Sequence, residues 1–284
     1  MKIGIIGADG QLGFDLVRAF RDRAEVIEWT FDDFDVTDRE QTFRVVGDAA
    51  PHVVINTAAF HKVRECENDP EKSFRVNALG AFHAAGAVAA IGAKILLIST
   101  DYVFGNAKNS YTESDEPHPL NVYGASKLAG EQLTRIANPG AYYIVRTSAL
   151  FGEHQSGKGY NFVTLMLKLA HEGKEIRVVD DQYTAFTYTK DLAEAIRQLI
   201  FDNVSPGVYH ITNQGSASWY EFAQTIFEYA HVSPDLKPIS SEDQHETLVR
   251  PQSSVLRSEA LSRVEMRSLR LWQEALKEYV NSVR

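Results

Sequence analysis

A single cysteine, Cys66, stands among the 284 residues of this chain. It excludes an internal disulfide and a Cys-rich metal site, so nothing points to an oxidising compartment, and Cys66 reads as a small semi-buried residue. Basic charge is also short: 29 Lys+Arg face 38 Asp+Glu, which leaves a formal charge of −9 and a pI near 5.5. Binding to nucleic acid usually needs a basic field that neutralises phosphates, and no long Lys/Arg run supplies one. An anionic small substrate stays within reach, because a few local donors suffice. Long apolar runs are missing too. The most membrane-like stretch, residues 78–93, is dominated by Ala and Gly, is interrupted by His83, and falls short of the ~20 strongly apolar residues of a span. The chain enters a strand pattern at its second residue without a signal segment, and reads as soluble and cytoplasmic. His61, His118, His154 and His245 have no zinc-ligand spacing, so no metal site is expected. Internal repeats and low-complexity tracts are lacking as well.

What is present is apolar material in alternation. With 44% hydrophobic residues the chain can bury a substantial core. Short Ile/Val-rich runs at Lys2–Ile6, Glu25–Trp29, 52–55, 93–99, Tyr142–Thr147, 175–179 and 207–211 read as strands. Segments of helical period at Gln11–Phe20, Arg39–Ala49, 71–90 and 123–137 lie between them. This rhythm predicts an α/β fold, a Rossmann-type doubly wound parallel sheet, with a smaller mixed α/β C-terminal substrate lobe. The expected division is a dinucleotide-binding domain over 1–150 and a lobe over 151–284, some elements of which return to the Rossmann body. In the second half, Ser218-Trp219-Tyr220-Glu221 is a capping box opening a helix.

Gly7-Ala8-Asp9-Gly10-Gln11-Leu12-Gly13 joins the first strand to the first helix. Glycines there permit a tight turn and let a pyrophosphate approach the N–H groups of a helix N-terminus. The spacing is G-x-x-G-x-x-G, and its position raises cofactor binding above a merely structural turn. The second strand ends in Trp29-Thr30-Phe31-Asp32-Asp33, with acids and no base, which leans towards NADH without separating NADH from NADPH. Tyr123 and Lys127 stand four residues apart on one helix face. A Tyr can give its proton to a carbonyl oxygen as hydride reaches the carbon, and an ammonium nearby lowers a phenol pKa that is ordinarily ~10. Tyr-x-x-x-Lys alone is a common accident on surface helices. Upstream, Ile95-Leu96-Leu97-Ile98-Ser99-Thr100-Asp101 is a buried-type strand that places Thr100 at its carboxyl end, where open α/β sheets collect ligands. Together these features specify carbonyl reduction or alcohol oxidation with a nicotinamide.

In these residues the chain resembles the extended short-chain dehydrogenase/reductases, and within them the dTDP-4-dehydrorhamnose reductase family. The glycine loop, Asn56-Thr57-Ala58-Ala59-Phe60, Ser99-Thr100-Asp101-Tyr102-Val103-Phe104, Tyr123-Gly124-Ala125-Ser126-Lys127, Val145-Arg146-Thr147-Ser148, Asn161-Phe162-Val163 and Arg250-Pro251 carry the match in order over nearly the whole chain. The resemblance implies reduction of the 4-keto group of a nucleotide-activated deoxysugar, dTDP-4-dehydro-beta-L-rhamnose to dTDP-L-rhamnose, with NADPH or NADH. It implies that Tyr123 donates the proton, that Lys127 lowers its pKa and holds the nicotinamide ribose, and that Thr100 hydrogen-bonds the reacting carbonyl. Gly7, Gly10, Gln11, Leu12 and Gly13 would meet the pyrophosphate, Asp35 and Val36 the adenine side, and Ala58, Ala59 and Phe60 the cofactor wall. Asp101, Val103 and Ala149 would face the sugar nucleotide, and Arg250 its diphosphate. The partner is then a nucleotide-diphosphate sugar, with a homodimer left open.

Three stretches depart from the family pattern on the substrate side. Ala149 stands where the family usually has Trp, Phe60-His61-Lys62-Val63-Arg64 replaces a Tyr-Thr-x-Val-Asp run, and Thr184-Ala185-Phe186-Thr187-Tyr188 replaces Gly-Ser-Pro-Thr-Tyr. A small residue at 149 opens the pocket unless Phe186 or Tyr183 fills it. Two other readings share the motifs: a nucleotide-sugar epimerase or dehydratase, and a non-catalytic NADP-binding regulatory subunit. Asp101-Tyr102 in place of Asp-Glu counts against dehydration, and the intact triad counts against a non-catalytic role. His83 reads as packed, Trp219, Tyr220 and Phe222 as lobe packing, and Glu153 and Glu113-Ser114-Asp115-Glu116 as solvated loop charges.

Overall fold

The computed structural model describes residues 1–154, 159–244 and 248–283, so His245 lies outside the described residues. Strands β1 (Lys2–Ile6), β2 (Glu25–Trp29), β3 (Val53–Asn56), β4 (Lys94–Thr100), β5 (Tyr142–Thr147) and a sixth, Gly207–His210, form one sheet. Its spatial order is sixth strand, β5, β4, β3, β1, β2, and every neighbouring pair is parallel. The chain runs from β1 out to the β2 edge and then crosses back to β3. The order therefore reverses between β1 and β3, and the loops leaving those strands diverge there.

Successive side chains point to opposite faces, and both faces are covered, which is why the strands are apolar throughout. Ile3, Ile5, Val53, Ile55, Leu96 and Ile98 share a core with helix α1 (Gln11–Phe20) and helix Thr189–Phe201. Ile6, Val54 and Ile95 face the other way, onto Val46 of α2 (Arg39–Ala49) and Ala84 and Val88 of helix Ala81–Ala90. Leu16, Phe20, Ile196 and Leu199 are fully buried, each contributing about 1.5–3 kcal/mol of transfer free energy.

The single helix expected over 71–90 is three pieces: Pro70–Phe74, a π-helical turn Arg75–Gly80, and Ala81–Ala90. Asp69 caps the first, accepting from Lys72 N–H at 2.9 Å, with Pro70 preset for the first turn. The π-turn carries Asn77, whose side chain spans Phe60 and Ser126, and its carbonyl presses on Gly130, where a Cβ would come within 2.2 Å. Tertiary bonds thus hold the bulge.

A second, aromatic-rich core joins Phe151, Phe186, Tyr188, Phe222, Trp272 and Tyr279 with helices Phe162–His171, Trp219–Ala230 and Trp272–Ser282. The expected capping box is present: Ser218 Oγ accepts from Glu221 N–H at 3.0 Å and Glu221 accepts from Ser218 N–H at 2.8 Å. Asn161 and Thr164 make another. Glu113 is a correction. It accepts from His210 N–H, Ser258 Oγ and Glu259 N–H, tying its loop to the sixth strand, and Asp115 accepts from Thr112 N–H and Lys108. Glu153 pairs with Arg18 at 2.9 Å. His83 is packed as expected, Nδ1 lying 3.0 Å from the Val36 carbonyl. Among the described residues no helix is long and apolar enough to cross a membrane, and no group of three or more His, Cys, Asp or Glu could hold a metal ion.

Candidate active site

A cleft of about 450 Å³ lies beyond the carboxyl ends of the strands, between the sheet and the aromatic core. Gly10, Gln11 and Leu12 form its floor. Gly7 has φ +78°, a left-handed conformation that Gly adopts without strain. The N–H groups of Gly7 and Ala8 both donate to Trp29 O, at 2.8 and 3.0 Å. A Cβ on Gly13 would sit 2.0 Å from Gly7 O, so only Gly lets α1 start this close to β1. Gly10 caps α1 without a side-chain bond, and no acid occupies the first turn. That helix end suits an anion. Gln11 Nε2 and Thr147 Oγ1, both of residues lining the cleft, are buried without a hydrogen-bond partner, which fits a polar ligand such as a dinucleotide. Gly13→Ala is expected to abolish nucleotide binding, read by fluorescence titration. Unchanged affinity would remove the loop from the site.

The helix Val122–Ala137, which carries Tyr123 and Lys127, is capped by Asn121, which accepts from Gly124 N–H at 2.9 Å. Gly124 lies against Tyr102 O, where a Cβ would fall at 2.0 Å. This close approach brings Tyr123 beside the end of β4. The Tyr123 hydroxyl lies beside Thr100, and its ring stands edge-on to Tyr102 at 6.0 Å. Burial pushes the phenol above its ordinary range, and Asp101 adds to that. Lys127 Nζ donates to Ile98 O at 2.6 Å. Burial lowers its pKa to about 8 against the opposing charge of Glu131. The expected depression of the Tyr123 pKa is thus corrected: burial dominates, and the ammonium is drawn to a strand carbonyl and to Glu131. Beneath it, Glu131 accepts from Arg146 Nε and Nη2 at 2.9 and 2.7 Å and from Ser99 Oγ at 2.6 Å.

Of the other expected residues, Ala59, Asp101 and Ala149 line the cleft. Asp35, Val36, Ala58 and Phe60 do not; Asp35 accepts from Thr37 N–H in its loop, and Phe60 is held by Asn77 with its ring under Lys72. The Val103 side chain is a correction, being fully buried with Phe104, Tyr111 and Leu256, away from the cleft. Arg250 itself is not on the lining, although Pro251 and Ser254 are.

Trp219 and Phe222 line the cleft together with Phe162, which corrects the reading of Trp219 and Phe222 as lobe packing. Phe186 stacks on Phe222 at 3.7 Å and meets Trp219 at 5.1 Å. With Tyr183 these rings wall the space beside Ala149, which has φ +41°. Phe162 and Trp219 each follow an N-cap, Asn161 or Ser218. Side chains there lean back towards the helix N-terminus, a signal that could have marked both.

The family model described as the RmlD substrate binding domain matches residues 1–284. The spore coat polysaccharide biosynthesis protein SpsK of Bacillus subtilis is 40% identical over 98% of this chain and 96% of its own length. A dTDP-4-dehydrorhamnose reductase of Mycolicibacterium smegmatis is 38% identical over 99% and 86%. The crystal structure of the dTDP-4-dehydrorhamnose reductase of Bacillus anthracis, in complex with NADP, superposes with a TM-score of 0.94 at 37% identity, covering 99% of both chains. The chain belongs to the RmlD substrate binding domain family, that of the dTDP-4-dehydrorhamnose reductases.

Proposed function

We propose that this chain is an NAD(P)H-dependent oxidoreductase that reduces the 4-keto group of a dTDP-activated deoxysugar, converting dTDP-4-dehydro-beta-L-rhamnose to dTDP-L-rhamnose. One observation carries the reading: Thr100, Tyr123 and Lys127 line the same cleft as the uncapped N-terminus of α1. When bound, the dihydronicotinamide supplies the hydride. Gly10, Gln11 and Leu12 hold the pyrophosphate at the helix end, and Lys127 reaches the ribose. Thr100 stands beside Tyr123 on the cleft wall. Tyr123, protonated at neutral pH because burial raises its pKa, gives that oxygen its proton as charge develops there. The aromatic wall of Phe162, Phe186 and Trp219 excludes water on the sugar side. Asp33 accepts from Thr30 N–H at 2.7 Å and from its hydroxyl, so the acid that would favour NADH is tied into its own loop. The NADP complex of the Bacillus anthracis relative supports NADPH as the cofactor, and a cytoplasmic setting is proposed for the sugar-nucleotide substrate.

The test is a screen of NADPH and NADH oxidation across several 4-keto nucleotide sugars, with product stereochemistry read by NMR. Consumption of NADPH with dTDP-4-dehydrorhamnose is expected. Turnover confined to another 4-keto sugar would keep the chemistry and reject the substrate; cofactor binding without turnover on any of them would reject the reading.

A further inference from the structure

Asp101 follows Thr100 directly and is only 4% exposed. Three hydroxyls from three separate segments converge on its carboxylate. Thr100 Oγ1 donates to Oδ1 at 3.0 Å, Thr184 Oγ1 donates to Oδ2 at 3.2 Å, and Ser254 Oγ donates to Oδ2 as well. An ionised carboxylate only accepts, so the Thr100 proton is committed to Asp101. The Thr100 oxygen is then left as an acceptor: it takes the Tyr102 N–H at 3.2 Å, and the Tyr123 hydroxyl lies beside it. The direction of the Thr100 hydroxyl is thus set from Asp101. A protonated Asp101 can itself donate, which frees the Thr100 hydroxyl to turn and removes that order.

We propose that Asp101 is a positioning residue of the reduction: its carboxylate fixes the Thr100 hydroxyl and, through it, the O–H of Tyr123. The inference rests on the reductase reading above. Thr184 belongs to the short strand Tyr183–Thr184 and Ser254 to the segment that follows Pro251, and both line the cleft. The pin is therefore complete only when these lobe segments are seated against the end of β4. Burial, opposed by the three donors, raises the Asp101 pKa to about 6, so the pin is set above that pH and released below it.

Other groups face this corner from each element around it. The turn after β4 contributes Tyr102, the catalytic helix contributes Tyr123 and Lys127, and the lobe strand contributes Tyr183. Burial places Tyr123 and Tyr183 above the ordinary phenol range, and Lys127 is at about 8. Glu67 binds Val122 N–H at the start of the catalytic helix, and Cys66 lies near Tyr123 with its thiol raised by burial. Arg250 lies just before Pro251, which lines the cleft, and His61 stands on the lining.

The experiment is the profile of kcat between about pH 5 and 8, with KM at each point. The wild type is expected to lose about tenfold in kcat as pH falls through about 6, with KM little changed. Asp101→Asn is expected to be about tenfold slower near pH 7.5 and flat on the acid side. Ser254→Ala removes a donor that lowers the Asp101 pKa, so its acid limb moves to higher pH. His61→Asn keeps the limb where it is. An acid limb that survives in Asp101→Asn, or that moves only in His61→Asn, overturns the proposal. So does an alkaline fall tied to Asp101, which would make the carboxyl a proton donor instead. A second arm uses the ligand-free protein with 13C-labelled Asp and Thr. The Thr100 signals are expected to follow the Asp101 carboxyl titration and to lose that response in Asp101→Asn; indifference of Thr100 overturns the pin. Tracking in a protein without turnover would instead overturn the reductase reading and leave the pin standing.

Discussion

Replacing Tyr123 by Phe is expected to lower kcat by about 10²–10⁴-fold, the range for loss of a positioned general acid, while NADPH affinity stays within about twofold, below 1.4 kcal/mol. The ring remains, so its edge-on contact with Tyr102 at 6.0 Å is kept. What disappears is the hydroxyl beside Thr100. Neither Thr100 nor Lys127 replaces it. Thr100 is committed to Asp101, and Lys127 Nζ is held by Ile98 O at 2.6 Å. An alkoxide forming in this cleft would then lack a proton at the moment it develops charge, which is where an oriented acid contributes most. Steady-state kinetics and nucleotide titration on the same preparation check this. A Phe variant with wild-type kcat would place the acid elsewhere, and one that loses nucleotide binding as well would show that the hydroxyl supports the fold of the site.

The parts of the molecule legible in the sequence are those set by local periodicity. Strands β1, β2 and β5 and helices α1 and α2 fall on the expected boundaries, because continuous apolar runs and the glycine turn mark them without reference to the rest of the chain. The π-turn at Arg75–Gly80 was not legible: it exists because Asn77 bonds Phe60 and Ser126, residues distant in sequence. Glu113 reads as one member of an acidic run until the loop is seen to return to His210 and Ser258. At the site, the types and spacing of Thr100, Tyr123 and Lys127 were readable, since each chemistry demands its residue. The aim of Lys127 was not, because it depends on where Ile98 O and Glu131 lie in the folded state. The capping box at Ser218 marked where its lobe helix begins, whereas the arrival of Phe162 and Trp219 in the cleft depends on how the lobe seats against the sheet.

Glu131→Ala is expected to cost about 3–5 kcal/mol of folding stability, the usual result of removing one partner from a buried ion pair. That is a large fraction of a total near 5–15 kcal/mol. Glu131 is fully buried, and it takes Nε and Nη2 of Arg146 and the Ser99 hydroxyl. Without it, the Arg146 guanidinium keeps, among the described residues, the His210 ring nitrogen at 3.4 Å and the face of Phe104 at 5.1 Å. Neither carries a compensating charge, since burial holds the His210 pKa at about 4 and the ring neutral. A second consequence follows one turn back along the helix. Glu131 raises the Lys127 pKa, so its loss lowers that pKa below about 8 and moves the alkaline limb of kcat to lower pH. The two effects separate in the double variant Glu131→Leu/Arg146→Met. An apolar pair in place of the buried ions is expected to regain most of the stability, but it supplies no negative charge to Lys127, so the displaced limb remains. Denaturant titration and the pH profile of the single and double variants decide the matter: a Glu131→Ala protein as stable as wild type would mean that the pair is not what holds the catalytic helix to β4 and β5, and an unmoved limb in both variants would mean that Lys127 takes its pKa from burial alone.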